Sequence, residues 1–102
     1  MTEEIIKKTI EITGITLDDG LCDFAKRGDS KVKAAQDALM YVLFKKNVTP
    51  YDIATLMKAE VDDVLCALFR VGLKTGSSRI DHEFYRITKK IMEIGRENVF
   101  YG

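Results

Sequence analysis

The sequence predicts an all-α protein, a single small helical bundle that contains a helix-turn-helix. Three observations carry that expectation. Apolar residues recur at helical rather than strand spacing along most of the 102 residues, with one proline and no alternating run. Apolar residues make up 46% of the chain, which supports one real core at this length and no second catalytic domain. Residues 48–72, VTPYDIATLMKAEVDDVLCALFRVG, divide into two apolar-faced helices about a short break, the plan whose second helix enters the DNA major groove.

In chain order, Thr2 can cap a first helix over residues 3–12, where Glu3 and Glu4 suit the positive helix end. Ile5, Ile6, Thr9, Ile10 and Ile12 give it an apolar face, and Gly14 ends it. Residues 17–24 fit a short helix, with Leu17, Leu21 and Phe24 inward and Asp18, Asp19 and Asp23 outward. Lys26 to Ser30 form a basic loop, in which Asp29 or Ser30 caps the next helix. That helix, over residues 31–46, is the centre of the scaffold. Ala34, Ala35, Ala38, Leu39, Val42 and Leu43 line one face, and Met40, Tyr41 and Phe44 make it apolar nearly all round.

The helix-turn-helix spans about residues 49–72. Thr49 before Pro50 is a strong start signal, because the threonine caps free N–H groups and proline at the first helical position loses no hydrogen bond. Asp52 stands three residues after the cap, and Ile53, Ala54, Leu56 and Met57 supply the inward face. After a break at Lys58–Ala59–Glu60, the residues Val61, Val64, Leu65, Leu68 and Val71 recur at helical spacing, and Gly72 suits a helix end. A polar linker, TGSSR, leads from Thr75 to a last helix over residues 80–94 that packs Ile80, Phe84, Ile87, Ile91 and Ile94 and stops at Gly95. The domain is expected to occupy residues 1–96, with 97–102 a frayed tail.

Charge narrows the function. With 16 basic and 16 acidic residues the net charge is zero, which is low for a nucleic-acid binder. The distribution is uneven, however. Residues 1–24 carry six acids and two bases (−4), whereas residues 25–46 carry six bases and two acids (+4). Residues 47–71 return to −2 with four acids and two bases, and residues 72–102 to +2 with six bases and four acids. Any DNA contact is therefore expected to centre on the second block.

No catalytic, cofactor or metal site is expected. Cys22 and Cys66 stand apart from each other and from His82, the one histidine, so they read as reduced thiols. Asp18/Asp19 and Asp62/Asp63 are adjacent pairs, and neighbours in a helix do not face each other for acid–base work. Tyr41, Phe44, Phe69 and Phe84 read as core. No GxxxxGK[ST] phosphate loop, signal peptide or membrane-spanning apolar run is present, which gives the expectation of a cytoplasmic protein without membrane contact.

Four phrases bear on identity: IIKKTIEITGITLDDGL, KRGDSKVKAAQDALMYVL, VTPYDIATLM and RIDHEFYRITKKI. In order and spacing they resemble the C-terminal DNA-binding domain of DnaA, the bacterial chromosomal replication initiator, over residues 3–94. The first resembles the family's opening helix and short second segment. The second resembles its basic loop and long central helix, with Lys33 at the first Arg of the family's ARPRQ-x-AMYL pattern, Ala34 at its Pro, Ala35 at its second Arg and Gln36 matching. The third resembles LSLPEIGxxF, and the fourth the closing helix. The family's GGRDHTTV block departs most: Lys58 to Val64 stand there one residue shorter, and the paired threonines become Asp62 and Asp63.

The resemblance implies duplex DNA binding, with phosphates held by the basic loop and bases met by the second helix of the helix-turn-helix. The residues carried onto that interface are Lys26, Arg27, Lys31, Lys33, Thr49, Lys58, Asp62, Asp63, Cys66 and Arg70. Read alone, the lysines serve equally well as a solvated loop and helix face. With the resemblance they face phosphate, as point charges without an arginine fork. A carboxylate held about 4 Å from a phosphate costs about 1 kcal/mol in bulk water, and more where solvent is excluded. Asp62 and Asp63 therefore predict altered or weakened sequence specificity. The second reading keeps the scaffold without DNA binding, as an interaction module for a replication or transcription protein. Zero net charge and the acidic helix start support it.

Overall fold

The computed structural model describes residues 2–75 and Lys90, with side chains at 2–71 and at Lys90. Every regular element among these residues is helical: α1 (Thr2–Thr13), a one-turn 3-10 helix (Phe24–Lys26), α2 (Ser30–Lys45), α3 (Pro50–Met57) and α4 (Val61–Thr75). The expected last helix, its linker from Gly76 onward, His82, Phe84 and the tail lie outside the described residues apart from Lys90, which is helical.

α2 is the hub, and α1, α3 and α4 all pack on it. Nine of its 16 residues are buried, including Ala38, Leu39, Met40, Val42 and Leu43 at the centre. α1 contributes Ile5 and Thr9, whose hydroxyl donates to the Ile5 carbonyl at 2.8 Å and so enters the core satisfied. Ile53, Ala54 and Met57 of α3 and Val64, Ala67 and Val71 of α4 complete the core. Burying a leucine- or isoleucine-sized side chain stabilises by about 1.5–3 kcal/mol, so this cluster holds the bundle.

The caps explain where the helices stop. α1 starts at Thr2 itself, so the threonine lies in the first turn rather than ahead of it. Gly14, at φ +75°, closes α1 by donating to the Ile10 carbonyl. Asp29, not Ser30, caps α2, and its carboxylate accepts from the Lys31 and Val32 N–H groups. α2 ends in a Schellman turn with Asn47 at φ +72°: the Val48 N–H donates to the Leu43 carbonyl and the Asn47 N–H to that of Phe44.

Other sequence expectations differ from the structure. No helix forms over residues 17–24. Asp19 accepts from both the N–H and the hydroxyl of Thr16, and Gly20 takes φ +101°, so the chain turns instead. Those bonds from Thr16 hold the Asp19 carboxyl below its usual range, and the charge of Lys26 adds to this. Leu17 is left outside the core, 57% exposed. Ala34 and Phe44 face solvent rather than the interior, because the outer side of α2 meets no other described helix. Gly72 does not end α4, which runs on to Thr75. Leu65 and Phe69 also point outward, since among the described residues of that helix Val64, Ala67 and Val71 make the buried face, with Val61 and Leu68 partly buried against the core.

Gly20 bears on the basic loop directly. A Cβ there would stand 2.7 Å from the Lys26 Cβ, on a backbone that L side chains rarely adopt. Gly20→Ala is expected to lower stability by about 1–2 kcal/mol, read by urea denaturation. A change below a few tenths would mean that the loop relaxes freely.

Candidate nucleic-acid interface

The residues expected at the interface lie on the α1–α2 connection, the start of α2 and the helix-turn-helix. The polar residues of α2 fix the connection. The Gln36 amide donates to the carbonyls of Gly20 (2.8 Å) and Asp23 (2.7 Å), and its oxygen accepts from Arg27 Nη1 at 3.0 Å. Arg27 Nη2 meets Asp37 Oδ1 at 2.8 Å, and its guanidinium lies 4.6 Å from the Phe24 ring centroid. The Arg27 and Asp37 side chains are 12% and 10% exposed. Every polar group of this cluster has a partner, which is what burial demands.

Arg27 is therefore turned inward as the clasp of the connection. The loop presents Lys26 alone as an outward cation. Lys31 is exposed and Lys33 half-buried on the first turns of α2. Lys26, Lys31, Lys33 and Lys58 make no ion pair among the described residues. The helix start itself is no phosphate nest, because Asp29 already occupies the N–H groups of Lys31 and Val32. The cations left facing solvent at this end of α2 are lysine side chains.

The helix-turn-helix is formed by α3, the residues Lys58 to Glu60, and α4. The Thr49 hydroxyl accepts from the Asp52 N–H at 3.2 Å, so Thr49 acts as the cap of α3. Lys58 takes the left-handed conformation at φ +55°, and the Ala59 N–H donates to the Ala54 carbonyl at 2.9 Å, which turns the chain into α4. Burial pushes the Cys22 thiol up, and the nearby charge of Lys58 partly offsets it.

α4 presents Asp62, Asp63, Leu65, Cys66, Phe69 and Arg70 to solvent. The carboxylates in its first turn favour the helix dipole, typically by about 0.3–1 kcal/mol each, and oppose phosphate. Gln36, which matches the family pattern, and Asp37, which carries no sequence expectation, are the residues that hold the connection in place. Two polar residues inside the apolar face of α2 were the signal, since a buried carboxylate needs a partner.

Comparison with protein-family models, with curated proteins and with solved structures finds no match. The site stands on its own residues.

Proposed function

We propose that this chain binds duplex DNA mainly through its phosphates, with a helix-turn-helix of weakened or altered sequence specificity. The observation that carries the reading is the set Lys26, Lys31 and Lys33, exposed or half-buried cations on the α1–α2 connection and the first turns of α2 that make no ion pair among the described residues. Counterion release by such cations supplies non-specific affinity. The resemblance in element order to the DnaA C-terminal domain supports placing α4 toward the major groove. Its chemistry there differs from a typical reading helix: Asp62 and Asp63 accept from cytosine amino groups, and Leu65 and Phe69 suit thymine methyls. Arg70 is the one cation on the exposed face of α4 up to Val71.

The second reading, an interaction module for a replication or transcription protein, draws on one specific observation. Leu65 and Phe69 expose large apolar area where a reading helix usually carries polar groups.

Asp62→Thr with Asp63→Thr separates the two. Under the DNA reading the wild type binds duplex at low salt, and the variant gains about tenfold as the repulsion of two carboxylates is removed. Fluorescence anisotropy reads both. If neither protein binds any duplex at low salt, the DNA reading is wrong and the module reading replaces it.

A further inference from the structure

The outer face of α4 has a pattern that solvation alone does not explain. Leu65 is 47% and Phe69 69% exposed, and Cys66 is exposed beside them. Residues three and four apart share a helix face, so Asp62, Leu65, Cys66 and Phe69 make one outward stripe. Asp63 and Arg70 are seven residues apart and therefore lie on the same flank of that stripe. The face carries acid at its N-terminal end, base toward its C-terminal end and an apolar centre. Laid antiparallel against itself, such a face is self-complementary.

We propose that α4 pairs antiparallel with α4 of a second copy, about a two-fold axis beside Cys66. Two-fold symmetry makes every contact twice. Asp63 of each copy meets Arg70 of the other, on matching flanks and at matching height. Leu65 of each packs on Phe69 of the other. The midpoint of 63 and 70 falls between residues 66 and 67 and that of 65 and 69 at residue 67, a difference of about 0.8 Å along the helix, so the charged and apolar contacts are compatible with one register. Neither Asp63 nor Arg70 is held in an ion pair among the described residues. A helix of 15 residues is about 22 Å long, and one such contact covers less than the roughly 800 Å² per partner of stable complexes. The pair is accordingly transient and concentration-dependent. The pairing does not rest on the DNA reading. If that reading holds, pairing and DNA contend for the same face.

Sedimentation velocity on the full chain without DNA tests this. The mass is expected to rise from the 11.6 kDa monomer toward twice that value as concentration increases. Asp63→Arg and Arg70→Asp should each weaken association about tenfold or more, and the double variant should restore it, with circular dichroism unchanged throughout. In a Cys22→Ser background a short bis-maleimide should link two copies through Cys66. A monomer at every concentration overturns the proposal, as does a double variant no better than its parents or a dimer in which Cys66 does not cross-link. Because no DNA is present, these failures are distinct from failure of phosphate binding.

Discussion

Replacing Arg27 by alanine is expected to cost about 3 kcal/mol of folding stability, in the range for breaking a buried ion pair. The loss goes beyond one contact. Asp37 is left as a charge on a carboxylate nine-tenths buried, the Gln36 oxygen loses its donor, and Phe24 loses the cation over its ring. Asp37→Ala should cost a similar amount by stranding the guanidinium. The two together should cost less than their sum, because the partners share one network. Arg27→Lys should not rescue, since an ammonium cannot reach Asp37 and Gln36 as a flat fork while lying over the ring. Urea denaturation measures all four. Single variants within about 0.5 kcal/mol of wild type would mean the cluster is solvated and the pair worth no more than a surface contact.

The largest functional effect should come from removing Lys26, Lys31 and Lys33 together. Alanine at all three is expected to lower duplex affinity about a hundredfold at low salt and to flatten the salt dependence by about 2–3 units of slope, from roughly 0.9 per phosphate contact. The loss should be similar for unrelated sequences, because phosphate contacts carry no base information. Stability should hardly change, since none of the three side chains is buried in the core. A variant that binds as the wild type does would remove these lysines from the interface. One that loses a single sequence only would make them base readers.

Much of the fold was legible because it is local. The Thr49–Pro50 start, Gly14 and Asp29 are cap signals whose chemistry acts within a few residues, and the structure places each as the expected cap or stop. The apolar encirclement of α2 announced a central helix, and Leu39, Met40 and Leu43 are fully buried there. What periodicity could not resolve was which side of a broad apolar stripe meets a neighbour. Leu65 and Phe69 continue the hydrophobic pattern of α4, yet Val64, Ala67 and Val71 make its packing face. Leu17 failed for a different reason: Thr16, Asp19 and Gly20 build a turn from side-chain bonds, and a pattern of apolar residues cannot overrule it.

The candidate site was legible in its charge and obscure in its wiring. The surplus of cations in residues 25–46 is visible in composition alone. That Arg27 is turned inward depends on Gln36 and Asp37, which come beside it only once α2 has folded back over the connection. Distance in sequence hid a contact that burial then made obligatory.

Phosphate-driven duplex binding is read by fluorescence anisotropy of the wild-type chain on two duplexes, one with the initiator family's recognition box and one scrambled, across a salt series. Binding to both is expected within about tenfold of each other, with a logarithmic salt slope of roughly −2 to −4 from the exposed lysines. No binding at low salt, or binding indifferent to salt, would contradict it.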